Sequence, residues 1–144
     1  MGIFRRSLRS FEKDVRRMIE DNPGSFRSPV WEEDCVTLEL SAGPKLQIWK
    51  SDDGVFFDMT VASAVKLGKE HGMSPRKVYQ RFGFFTSSSF AMRDEDEIFY
   101  ASAIPADRYS ERRLHAVTNR FILQAADFRR ILEQWEGSLQ GGGR

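Results

Sequence analysis

The side chains able to do chemistry are few in this chain, and their spacing does not assemble a reaction centre. His71 and His115 fall on separate helical stretches, and the sequence holds a single cysteine, Cys35. A structural or catalytic zinc site needs a converging set of His, Cys or carboxylate ligands, and no His/Cys cluster supplies one. Asp94-Glu95-Asp96-Glu97 places acidic residues in a row, which reads as a solvated hairpin tip. A metal there would need ligands arriving from elsewhere in the chain. Neither a phosphate-cradling glycine loop between strand and helix nor a G-x-S-x-G nucleophile elbow is present. Cys35 has no activating neighbour in sequence and is expected to be a buried free thiol. No catalytic residue, metal or cofactor is therefore expected.

Binding chemistry is better represented. Val36–Leu40, Leu46–Trp49 and Phe56–Val61 alternate apolar and polar residues, as half-buried strands do, with Ser41-Ala42-Gly43-Pro44 and Ser51-Asp52-Asp53-Gly54 as turns between them. Closing the second turn sets Trp49 opposite Phe56, Ile48 opposite Phe57, Gln47 opposite Asp58 and Leu46 opposite Met59. Leu46, Ile48, Phe57, Met59 and Val61 then face a core. Trp49 and Phe56 share the other face with Thr37, Glu39, Gln47 and Asp58, which should be wet. Large aromatics on a wet face mark a contact surface. Two alternatives stand beside it: a cross-strand pair that stiffens the sheet, or cover by the segment around Phe26 and Trp31.

Helices must complete the layer. Ile3–Glu20 carries Phe4, Leu8, Phe11, Val15, Met18 and Ile19 on one stripe and Arg5, Arg6, Arg9, Lys13, Arg16 and Arg17 around it. Such a helix packs its stripe on a sheet or lies on an anionic membrane. Residues 62–82 read as Ala62–His71 and Pro75–Phe82, broken at Gly72, with Ser74 as cap. Phe84 and Phe85 follow as further candidate contact residues. A fourth and a fifth strand flank Asp94–Glu97, with Arg93 facing Ile98 and Phe90 facing Ala101. Ser110 then caps a long helix with Leu114, Val117, Phe121, Ile122, Ala125, Phe128, Leu132 and Trp135 on one stripe, ending at Gly137.

At 144 residues, with 40% hydrophobic and 30% charged residues, the chain has the makeup of one globular domain. Residues 1–136 are expected as a single α+β domain and 137–144 as a disordered tail. A net charge of +1 points neither toward nor away from nucleic acid. One cysteine excludes an internal disulfide and suits a reducing cytoplasm. There is no apolar run of membrane-spanning length and no signal-peptide pattern.

Two resemblances bear on function. Leu67–Gly83, with a glycine turn, a Ser74-Pro75 start and Val78-Tyr79-x-x-Phe82, resembles the helix-turn-helix of TetR-type repressors; Arg76, Lys77 and Arg81 would then meet phosphates or base edges. More of the chain is covered by a second likeness. The element order, with Ala103-Ile104-Pro105-Ala106-Asp107, Ser110, Phe121, Ala126-Asp127-Phe128-Arg129 and Leu132, resembles the YbjN family and the related class I type III secretion chaperones. That resemblance implies a bacterial, cytoplasmic, often dimeric α+β domain that binds a protein or peptide on apolar patches and catalyses nothing. The expectation is a five-stranded antiparallel sheet with helices on one face, in the order α-β-β-β-α(α)-β-β-α. Trp49, Phe56, Phe84 and Phe85 would hold a segment of a partner protein, in a chaperone-like or adaptor role. The alternative is a transcriptional regulator using a helix-turn-helix at residues 62–83.

Overall fold

The computed structural model describes residues 8–82 and 90–142, with 138–142 as backbone alone. In chain order the elements are α1 (Phe11–Asp21), β1 (Phe26–Glu32), β2 (Cys35–Leu40), β3 (Lys45–Ser51), β4 (Gly54–Ser63), α2 (Ala64–His71), α3 (Pro75–Phe82), β5 (Ala91–Arg93), β6 (Glu97–Pro105), a short 3-10 turn (Ala106–Arg108) and α4 (Glu111–Gly142). The strands form one open antiparallel sheet of six, ordered β1-β2-β3-β4-β6-β5. The architecture is α+β, with one strand more than the five expected.

The extra strand is β1. The Asn22-Pro23-Gly24-Ser25 break and Pro29 hide it in the sequence, since proline cannot donate to a ladder. It survives because β1 is an edge strand: its pairing to β2 slips between Arg27 and Val30, and Ser28 between them takes φ +47°. Phe26 and Trp31 pair with Leu40 and Val36 and pack with them against the core. They do not cover Trp49 and Phe56.

The β3–β4 register is the expected one, Trp49 opposite Phe56 and Leu46 opposite Met59. The second hairpin is tighter than expected. Arg93 pairs with Glu97 rather than Ile98, and Ala91 with Phe99, because the turn is Asp94-Glu95-Asp96 with Asp94 and Glu95 both at φ +56°. Asp96 leaves the solvated tip to tie down the start of α2. Its backbone carbonyl accepts from Ala64 N–H at 2.7 Å, and its carboxylate accepts from the Ser63 hydroxyl and from Val65 N–H. Those bonds, the Ser63 hydroxyl foremost, hold its acidity below the usual aspartate range. Ser63 in turn caps α2 by accepting from Lys66 N–H at 3.1 Å, so α2 begins at Ala64, two residues later than the apolar pattern suggests.

The four helices α1–α4 bury residues against the same sheet face. Phe11, Val15 and Met18 of α1 join Leu114, Val117 and Phe121 of α4 over Val36, Leu38, Leu46, Ile48, Phe57 and Met59. A second cluster gathers Leu67, Val78, Phe82, Ile98, Phe128, Ile131 and Trp135. The described part of the α1 stripe, Phe11, Val15 and Met18, thus packs on the sheet, Phe4 lies outside the described residues, and no described helix is long and apolar enough to cross a membrane. Helix α1 starts at Phe11, with Ser10 in a turn, so the described part of the expected Ile3–Glu20 helix is interrupted there. At the other end α4 runs through Gly137 to Gly142; residues expected as a tail from 137 continue the helix. Glycine lowers helix propensity by about 1 kcal/mol without forbidding helix.

One polar group lies inside the α1–α4 seam. Asp14 is 6% exposed, and its Oδ2 accepts from the Tyr109 hydroxyl at 2.7 Å and from the Ser10 hydroxyl at 2.8 Å. A buried carboxylate is tolerable only with such donors. Burial, then the bond to Asp14, pushes the Tyr109 hydroxyl well above its ordinary value. Tyr109→Phe should cost about 1–3 kcal/mol in urea unfolding at neutral pH, because it removes one of the two hydroxyl donors to a buried carboxylate. A group whose folded value is raised contributes fully below its unfolded value of about 10 and progressively less above it. The wild-type advantage over Tyr109→Phe should therefore shrink as pH rises past about 10; equal stability of the two proteins from pH 7 upward would refute the assignment.

Candidate partner-binding face

The alternation that buries Ile48 and Phe57 sends their neighbours to the opposite side of the sheet, where no described helix packs. Registers across five strands align Glu32, Cys35, Trp49, Phe56 and Ala103 in one row. Trp49 and Phe56 are half-buried, and neither belongs to the core clusters or packs against them. Their rings stack with centroids 5.8 Å apart and planes 21° apart. The cross-strand pair is thus formed, and its rings lie on the sheet face where no described helix packs. Ala103 is exposed beside them and Cys35 half-exposed. Burial, then the Glu32 carboxylate, pushes the Cys35 thiol up, so it is protonated at neutral pH and contributes apolar surface rather than a nucleophile.

The adjoining row turns polar. Val30, Thr37, Gln47, Asp58 and Ala101 align across the same strands, with Val30 53% exposed at the edge. Arg93 on β5 reaches back to Asp58, donating from both terminal nitrogens at 2.8 and 3.1 Å, to Glu97 at 2.9 Å and to Thr60 at 3.2 Å. Its guanidinium also sits 4.2 Å from the centre of the Phe99 ring. Hydrogen bonds to Asp58, then to Glu97, hold its proton more tightly than usual. The forked pairing holds the cation against Asp58 over the open face of the sheet. A shallow depression lined by Thr37, Lys45, Gln47, Asp58, Thr60 and Arg93 lies there, so the aromatic row has a polar border.

Among the other expected site residues, Phe84 and Phe85 lie outside the described residues. Arg76, Lys77 and Arg81 are exposed on α3, and none has an ion-pair partner among the described residues. The turn before them is close-packed. A Cβ on Gly68 would stand 2.3 Å from the Met73 carbonyl oxygen, whose residue donates its N–H back to Gly68 at 2.8 Å. Helix α3 buries Val78 and Phe82, with Phe82 stacked on Phe128 and Trp135 at 5.2 and 5.0 Å. The expected helix-turn-helix segment is therefore docked on α4 by one face and shows its cations on the other. The sequence reading missed Arg93, although an arginine directly before an acidic turn, across from a strand carrying Asp58, is a visible cue.

No family model, curated protein or solved structure matches this chain.

Because Trp49 and Phe56 stand off the core, Trp49→Ala and Phe56→Ala should each cost about 1 kcal/mol, the worth of an aromatic cross-strand pair. Phe57→Ala, one position along, should cost about 3–5 kcal/mol. Urea midpoints of the three variants check this; losses of equal size at 56 and 57 would contradict the two-faced sheet.

Proposed function

We propose that this protein is a non-catalytic binding module, chaperone-like or adaptor in role, that holds a segment of a partner protein on the open sheet face. The observation that carries the reading is the stacked Trp49–Phe56 pair on a face where no described helix packs, in one row with Cys35 and Ala103 and bordered by the Arg93–Asp58–Glu97 network. Interface centres favour aromatic anchors inside a polar rim. The resemblance to the YbjN family and class I type III secretion chaperones supports the same role, together with a cytoplasmic setting and a homodimeric state. Phe84 and Phe85 belong to the reading as further contact residues.

The test pairs affinity capture with folding controls. Wild type and Trp49→Ala/Phe56→Ala, both shown by circular dichroism to be fully folded at the assay temperature, are used as bait under crosslinking. Recovery of a partner by wild type, with a drop of at least tenfold for the double variant, is the expected result; equal recovery by both would overturn the assignment of this face.

A second reading rests on a separate observation, the exposed Arg76, Lys77 and Arg81 on α3, without ion-pair partners among the described residues. In it the protein binds duplex DNA through this helix. Fluorescence anisotropy with a labelled duplex should then show affinity that falls steeply between 50 and 200 mM salt, about tenfold or more. Arg76→Ala and Lys77→Ala should each reduce the salt slope by about one. Absence of salt-dependent binding at low ionic strength dismisses it.

A further inference from the structure

The last turn of α2 and the far part of α4 meet over the second core cluster, and the groups they bring together are poorly matched as a set. Glu70 and His71 close α2; Glu136 follows the buried Trp135 on α4. One carboxylate oxygen from each glutamate and one ring nitrogen of His71 all lie within 4.8 Å of one another. Among the described residues neither glutamate has an ion-pair partner. His71 Nε2 is shut off from solvent and has no hydrogen-bond partner among the described residues. The end of α2 adds the partial negative charge of its free carbonyls, which favours a cation and disfavours a pair of carboxylates.

We propose that Glu70, His71 and Glu136 bind a zinc-class divalent cation that staples the C-terminal end of α2 to α4. Calcium and magnesium call for oxygen-only sets of six or more ligands, whereas an imidazole with two carboxylates is a ligand set for zinc. Zinc bonds of about 2.0–2.2 Å place tetrahedral ligands about 3.4 Å apart. The present spacing closes to that by rotation of two glutamate side chains, the exposed Glu70 and the half-exposed Glu136. The His71 ring is held in place by packing edge-on to Trp135, 4.8 Å between centroids at 82°. Three protein ligands leave a fourth position for water. The sequence conceals the set because Glu136 is remote from the other two.

Untagged, chelator-stripped protein titrated with zinc in a calorimeter tests it. One zinc per chain is expected, with a melting temperature that rises on zinc and not on magnesium. Glu136→Gln and Glu70→Gln keep side-chain size and should each weaken zinc binding at least tenfold and remove the thermal shift. His71→Ala also loses packing on Trp135, so the glutamine variants carry the test. Cys35→Ser and His115→Ala should leave zinc binding unchanged. No zinc binding, or binding indifferent to Glu136→Gln, or binding lost with Cys35→Ser or His115→Ala, would overturn the proposal. The outcome is independent of what the open sheet face binds.

Discussion

A six-stranded sheet whose four described helices from Phe11 onward all bury residues on one side leaves its other side without a described helix over it. Strand periodicity makes this a rigid constraint, since each residue that enters the core places its neighbour on the open face. Burying Ile48 and Phe57 therefore fixes where Trp49 and Phe56 stand. The same rule puts Arg93, Asp58 and Glu97 on the open face, where they form the polar border. Aromatic row and charged border are thus consequences of a single register, and altering one strand's pairing by a residue would exchange them with the core.

The helical side is held by devices at its junctions as well as by apolar packing. Asp96 secures the start of α2 from the β5–β6 turn, and Asp14 joins α1 to the approach of α4 through Tyr109. Each puts a carboxylate where backbone or hydroxyl donors would otherwise lack a partner, which makes the site specific as well as stable. Gly54 is a further junction. Its φ is +153°, and a Cβ there would come 2.2 Å from the Ile104 carbonyl oxygen, so β4 and β6 meet only because the residue has no side chain.

Much of this architecture is written in local pattern. Alternation in 36–61 and the Ser51–Gly54 turn were sufficient for the central register, and three-to-four spacing for the α1 and α4 stripes. What escaped is what depends on context. Strand β1 holds a proline that only an edge position excuses. The β5–β6 turn is shorter because Asp96 has a tertiary partner that no window of neighbours reveals. Gly137 looks like a stop, and α4 passes through it. Asp14 was legible and overlooked: it follows Phe11 by three positions and precedes Met18 by four, inside the apolar stripe, and a carboxylate there needs a buried donor. Of the candidate face, the aromatic pair could be read from register alone, while Arg93 and the Cys35–Ala103 continuation needed the strand order.

Hydroxyl-radical footprinting of the free protein, read residue by residue by mass spectrometry, measures the central claim directly, because Trp31, Trp49 and Trp135 provide an internal scale. An open aromatic face requires Trp49 and Phe56 to be oxidised well ahead of Trp135, which is 1% exposed, and of Phe57, at 1% also. Protection of Trp49 and Phe56 equal to that of Trp135 and Phe57 would mean that the face is sealed, and the binding role assigned to it would fall.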